Sequence, residues 1–83
     1  MSRNMFTQEM ATELQDLRQR HQKATGLTNA LTTLSGTLTN DDPIYNMCSY
    51  KLGKYTTERD DLAPRLRELE LILIRAQLEE GLI

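Results

Sequence analysis

The side chains that could support catalysis or metal binding are few in this 83-residue chain. His21 is the only histidine and Cys48 is the only cysteine. A single cysteine cannot form an internal disulfide, and one cysteine with one histidine falls short of the four ligands of a structural zinc site. Both residues also lie on apolar rows with helical spacing, so we interpret them as core positions. Neither a metal nor another cofactor is expected.

Carboxylates near both ends of the chain look like acid–base pairs, but they lack a pocket. Glu9, Glu13 and Asp16 share one predicted helix, and Glu79 and Glu80 lie near the end of another. A helical hairpin encloses no site that would raise a carboxyl pKa or exclude water. The four glycines are scattered singly, so no phosphate-binding loop is present. The sequence therefore predicts a protein that is not an enzyme.

The charge distribution gives little indication of a partner. The net charge is −2, and acidic and basic residues are mixed along the chain. The short basic run of Arg18, Arg20 and Lys23 favours phosphate contacts, but it has no aromatic neighbour for base stacking. Nucleic-acid binding is therefore only a third alternative. Because no apolar run reaches the roughly 18 residues of a membrane span, we expect no membrane contact and a cytoplasmic location.

The first half of the chain carries apolar residues at helical spacing. They advance by fours and threes with a mean step of about 3.5, which is typical of a coiled-coil seam: Met10, Leu14, Leu17, His21, Ala24, Leu27, Leu31, Leu34 and Leu38. Two successive steps of three meet at Ala24, beside Gly26, and predict local overwinding or a kink. The stretch 25–39 is rich in Thr and Gly, so its helix should be the softest part of the molecule.

The second half carries a more regular seam, in which steps of three and four alternate without interruption: Tyr45, Cys48, Leu52, Tyr55, Arg59, Leu62, Leu66, Leu69, Leu73 and Ala76. Pro64 interrupts this half because it removes one backbone hydrogen bond. Either the helix continues with a kink at Pro64, or Asp60 or Asp61 caps a third helix with Pro64 in its first turn. We favour the continuous helix because the seam is unbroken.

Between the two seams the chain is expected to turn. Asp42 can cap a helix, and Pro43 suits a first helical position, where a missing N–H costs nothing. The sequence thus predicts an all-α, coiled-coil-like antiparallel hairpin of two helices. The hairpin forms a single domain at 1–83, with a helix at about 5–38, a turn at 39–43 and a helix at about 43–80.

Pairing the seams across the turn predicts the register of the hairpin. Opposite residues should have numbers that add up to about 83. This register brings Asp16 near Arg65 and Arg67, and it brings one basic run near three acidic residues: Arg18, Arg20 and Lys23 near Glu58, Asp60 and Asp61. It also sets Glu13 against Glu70, a like-charge pair that the sequence does not explain.

A chain of this length buries only a small core, so oligomerisation or a protein partner is expected to complete it. In the second helix Leu71, Ile74 and Leu78 form a row outside the seam, and such exposed apolar rows mark protein interfaces. The predicted interface is Met5, Phe6, Met10, Leu71, Ile74 and Leu78. We expect a homo-oligomer, or a small regulator, inhibitor or assembly factor of phage or bacterial type that binds a larger protein.

One local pattern resembles a known family. The turn Asp41-Asp42-Pro43, followed by Lys51-Leu52, Tyr55-Thr56 and Arg59, is similar to the turn and second-helix start of type III secretion needle subunits. The resemblance covers about a quarter of the chain. It implies a helical hairpin that polymerises, and the small hairpin co-chaperones of the same systems are a related alternative. Pro64 and the Leu/Ile-rich end depart from the needle pattern.

Overall fold

Two long helices make up nearly all of the described chain. The computed structural model describes residues 6–83, with α1 at Gln8–Ser35 and α2 at Tyr45–Glu79. The helices pack side by side in opposite directions, and the molecule measures 63 × 21 × 15 Å. Residues 6–83 contain no strand. The predicted all-α antiparallel hairpin is therefore confirmed.

Helix α1 begins at a side-chain cap and ends earlier than the predicted residue 38. The Thr7 hydroxyl accepts a hydrogen bond from the Met10 N–H at 3.2 Å, which satisfies one free donor of the first turn. The helix stops at Ser35, and Gly36 follows as its C-cap. The preceding stretch has low helix propensity, so packing rather than intrinsic preference sets this end.

The turn before α2 uses Asp42 differently from the prediction. The Asp42 carboxylate accepts a hydrogen bond from the Ile44 N–H at 3.0 Å, and the Asp42 carbonyl accepts one from the Tyr45 N–H. Asp42 therefore closes the turn, and Pro43 lies within it. Helix α2 starts at Tyr45, two residues beyond Pro43, with Ile44 as an N-cap whose side chain makes no capping bond.

Helix α2 continues through Pro64, so the alternative with a third helix beginning at Asp60 or Asp61 is wrong. The Pro64 side chain is exposed, and the ring leaves the packed face undisturbed. At its far end α2 closes with a Schellman motif, in which Leu82 N–H bonds to the Gln77 carbonyl and Gly81 N–H to the Leu78 carbonyl. Gly81 takes φ +75°, a left-handed conformation that glycine adopts without strain.

The core lies along the predicted seam of α2. All ten seam residues of this helix, Arg59 included, are buried or half-buried. The four most buried are Cys48, Leu62, Leu69 and Ala76, and they are separated by multiples of seven residues. Such spacing is the heptad of a coiled coil, so residues seven apart share a face along the whole helix.

The seam of α1 departs from the predicted one after Ala24. Thr28 is buried with 7% of its surface exposed, whereas Leu27 is half-buried and Leu34 is 38% exposed. The seam continues through Thr28 and half-buried Ser35 in regular steps. The predicted pair of successive steps of three, which placed Leu27 on the seam, is therefore wrong. Since Leu14 and Leu17 are buried in the same continuous helix, their packing sets the rotation of the residues that follow.

Two ion pairs between the helices report their register. The Arg65 guanidinium donates to both Glu13 carboxylate oxygens, at 2.8 and 2.9 Å, and Arg18 Nε donates to Glu70 at 3.3 Å. The residue numbers of these pairs add up to 78 and 88, five below and five above the predicted 83. In an antiparallel pair, contacts on one side of the seam have residue-number sums below that of the seam, and contacts on the other side have sums above it. The two ion pairs therefore agree with the predicted register.

The partners of the individual charges differ from the predicted ones. Arg65 pairs with Glu13 instead of Asp16, while Asp16 pairs with Arg20 on its own helix at 3.6 Å. Asp60 pairs with its neighbour Arg59. The predicted Glu13–Glu70 mismatch disappears, because each carboxylate meets an arginine. Side chains about one helical turn apart, such as Glu13 and Asp16, compete for these flanking positions, and the spacing of the seam does not decide between them.

Candidate protein interface

The row predicted to form an interface lies on the outer face of α2. Leu71, Ile74 and Leu78 keep 58%, 45% and 60% of their surface exposed. Leu71 and Leu78 each follow a buried seam residue by two positions, a rotation of about 200° around the helix axis. They therefore point away from α1, and the hairpin by itself cannot cover them. We call these three residues the outer row.

The remaining predicted interface residues lie elsewhere. Phe6 and Met10 are half-buried and pack against the core cluster that contains Leu14 and Leu69. Phe6 also lines an open groove together with Leu14 and Leu73. Met5 lies outside the described residues. The structure thus brings Phe6 and Met10 to the seam at the open end of the hairpin and leaves the outer row on a different face.

A second exposed apolar surface lies at the turn end, where sequence reasoning predicted none. Leu34, Ile44, Met47 and Tyr50 are exposed there, and we call them the turn-end patch. Part of it forms an open groove of about 170 Å³ with almost wholly apolar walls, lined by Leu31, Leu34, Ile44, Met47, Cys48 and Lys51. The available signal was the spacing of Ile44, Met47 and Tyr50, which advance by threes just outside the second seam.

The residues considered for chemistry lie apart from one another. Cys48 is buried, and its thiol donates to the Leu31 carbonyl at 3.6 Å, so it links the two helices. His21 is half-buried on the seam of α1. Among residues 6–83, no three side chains of the His, Cys, Asp and Glu types group in a way that could hold a metal ion.

The ionisable residue with the clearest shift serves structure. The Arg65 guanidinium holds the pKa of the Glu13 carboxyl below its usual value, chiefly through the hydrogen bonds between them. The same contact, followed by that with Glu68, raises the pKa of Arg65. In the basic run, Arg18 and Arg20 are already paired with Glu70 and Asp16. These charges hold the two helices in place along solvent-exposed edges.

Comparison with known proteins gives no relative: neither a protein-family model, nor a curated protein, nor a solved structure matches the chain. In the part of the chain that the structure describes, neither helix is long and apolar enough to cross a bilayer.

Proposed function

We propose that this chain is an interaction protein without enzymatic activity, which acts by docking the outer row of α2 onto another protein. The partner is a second copy of the chain or a larger target whose activity the hairpin regulates or whose assembly it assists. The observation that carries this proposal is the outer row itself, where three large apolar side chains lie together on a helix face that α1 cannot reach.

The energetics of a small hairpin support this function. The described core holds few fully buried side chains, and Leu69 is the only large one of them. Complete burial of a Leu or Ile side chain contributes roughly 1.5–3 kcal/mol. Because the side chains of the outer row are about half exposed, about half of this free energy is gained only when a partner covers them. Because these three residues lie on successive turns of one helix, they present this surface without a large ordering cost.

The experiment that tests the function is the double substitution Leu71→Glu/Ile74→Glu. Two carboxylates on the outer face should abolish self-association or target binding, because they would have to be desolvated in any interface. The helical circular dichroism should remain, since the seam is untouched. Solution mass from light scattering and quantitative capture of partners from source-cell lysate are the measurements.

A matched control is Gln19→Glu/Gln22→Glu, which adds the same charge to exposed positions of α1. This control should keep the mass and partners of the wild type. If Leu71→Glu/Ile74→Glu retains both as well, the outer row is no interface. If it unfolds, these residues belong to the fold, and the proposed function is equally wrong.

The two alternatives predict other behaviour. A filament or secretion component, as the needle-like turn implies, should form fibres whose length grows with protein concentration. A nucleic-acid-binding regulator should be retained on DNA in a salt-sensitive manner. The ion pairs of Arg18 and Arg20 with carboxylates favour the interaction protein over the latter.

A further inference from the structure

The turn-end half of α1 carries two neighbouring rows of residues that could face α2. The observed row, which is buried or half-buried against α2, consists of Ala24, Thr28, Leu31 and Ser35. The leucine row lies three residues further along the chain and consists of Leu27, Leu31 and Leu34. Because three residues turn an α-helix by about 300°, the two rows lie about 60° apart around the helix axis. Leu31 belongs to both rows.

The observed row places polar groups in the core and leaves apolar groups in water. The hydroxyls of Thr25 and Thr28 are buried without a hydrogen-bond partner among residues 6–83. Thr32 and Thr33 of the same segment donate their hydroxyls to carbonyls four residues back, so the missing bonds are specific to the buried face. Leu34 meanwhile keeps 38% of its surface exposed. Local preference and packing therefore conflict in this segment, and such conflicts bring competing arrangements closer in free energy.

The restraints on rotation differ between the two halves of α1. The ion pairs to α2 are formed by Glu13 and Arg18, both in the half near the open end. No residue from 24 to 40 is charged, so the turn-end half of α1 forms no ion pair with α2. The hydrogen bond that links the helices there runs from the Cys48 thiol, a weak donor, to the Leu31 carbonyl at 3.6 Å. The rotation of this half is therefore held mainly by side-chain packing.

Gly26 lies at the junction of the two halves, and an open groove lies beside the second one. A Cβ at Gly26 would meet no atom outside the adjacent helix backbone within 4 Å, so packing does not require a glycine there. Glycine gives the backbone more freedom than alanine does, and this freedom eases a change of winding. Leu34 lines the groove of about 170 Å³ next to Met47 and Cys48, which we call the turn-end groove. A turn of Leu34 toward α2 would fill this groove.

We propose that residues 27–35 form a two-position element, which rotates by about 60° around the axis of α1 and thereby opens and closes the turn-end groove. The observed position, with the groove open, is the major one, because it continues the winding of the well-packed first half of α1. In the second position Leu27 and Leu34 face α2, Leu34 fills the groove, and the Thr28 hydroxyl moves to the edge of the seam, where water reaches it. This element does not depend on the outer row, so its test is separate from that of the proposed function.

NMR relaxation dispersion on the unmodified chain with labelled leucine methyl groups tests the proposal. The methyl groups of Leu27, Leu31 and Leu34 should exchange at one common rate with a minor population on the order of 1–10%. Leu14 and Leu69 of the core cluster are the internal control and should show no exchange. The backbone Cα shifts of the minor state should remain helical. Random-coil shifts would show local unfolding in place of rotation, and an absence of exchange would show a single position; either result overturns the proposal.

Substitutions in the two rows should move the minor population in opposite directions. Thr28→Gln makes the observed row more polar and should raise this population about fivefold, whereas Thr28→Val removes the unpaired hydroxyl and should lower it about fivefold. Leu34→Gln should also lower it, because the second position would then bury an amide. The matched control is Asn29→Gln, which belongs to neither row, is exposed, and should leave the exchange unchanged. If Thr28→Gln melts the segment, Thr28→Val and Leu34→Gln still decide, since exchange that persists unchanged in both excludes the rotation.

Discussion

At the scale of single residues, Thr28 is the position where local preference and packing disagree. Its hydroxyl is buried without a hydrogen-bond partner in the described structure, as is that of Thr25. A buried hydroxyl that lacks a partner costs about 1–3 kcal/mol relative to water. The seam nevertheless selects Thr28 over the neighbouring Leu27, because the rotation of α1 is set by the better-packed leucines of its first half.

Thr28→Val should stabilise the protein by about 1 kcal/mol, since valine has the same shape and removes the unpaired hydroxyl. The Thr28 carbonyl, which accepts a hydrogen bond from the Thr32 hydroxyl, is unaffected. Urea denaturation measures the change. The control is Thr33→Val, whose exposed hydroxyl donates to the Asn29 carbonyl and should contribute little. Equal stability of Thr28→Val and wild type would show that this hydroxyl is not destabilising.

The charged edge residues act on register more than on stability. Arg65 bridges Glu13 across the hairpin and Glu68 on its own helix, but all three side chains are at least two-fifths exposed. Exposed ion pairs contribute little because water and salt screen them. Their positions on both sides of the seam oppose a sliding of α2 along α1, since a shift by one turn would break both pairs between the helices.

At the scale of the elements, α1 consists of a well-packed first half and a weaker second half. Leu14, Leu17 and Ala24 are buried, whereas Thr28 is the only buried residue beyond them in α1. Thr32 and Thr33 donate their hydroxyls to carbonyls four residues back, a bond that competes with the helix backbone. The second half of α1 therefore depends on its contacts with α2.

Hydrogen exchange should reveal this difference. Amides of the segment 25–35 should exchange faster than those of 62–76, because low propensity leaves the former dependent on packing. The stretch 12–20 of α1 serves as an internal control and should be protected like α2. Mass spectrometry of peptic fragments resolves the three segments. Equal protection of 25–35 and 62–76 would mean that packing at the turn end compensates fully for composition.

At the scale of the whole molecule, the hairpin is long and thin. Its extents of 63 × 21 × 15 Å leave room for a single layer of side chains between two helices. Such a layer hides the seam of each helix but not the opposite face of α2. The exposed apolar face of α2 is therefore a direct consequence of the shape of the hairpin, and in the proposed function a second hairpin or a target would complete a bundle.

An engineered disulfide tests the register of the whole hairpin. Leu17→Cys/Leu66→Cys, in a Cys48→Ser background, should crosslink within one chain, because both leucines face the shared core in the observed register. Electrophoresis without reductant at low protein concentration detects the faster-migrating monomer. The control, Leu17→Cys/Leu71→Cys, should form no such bond, since Leu71 points away from α1. Crosslinks found only between chains would contradict the intramolecular hairpin.

The two helices, their antiparallel pairing and their register could be predicted from the sequence. Strong periodic signals carry these features: ten α2 positions alternate by threes and fours, and a Pro-containing turn separates them from the first seam. The outer row could also be recognised, because Leu71, Ile74 and Leu78 lie outside any stripe that one partner helix can cover.

The packing of the two helices was needed to establish which residues of the weak segment face the core and which charges pair. The leucine spacing alone predicted that Leu27 and Leu34 face the core. A continuous helix has a single rotation about its axis, set by its strongest contacts, and this rotation turns Thr28 toward the core instead. The turn-end patch was missed for the same reason, since Leu34 becomes exposed only when Thr28 and Ser35 take the seam. The spacing of residues in the sequence shows which faces of a helix are apolar, and the contacts with the partner helix determine which of those faces is buried.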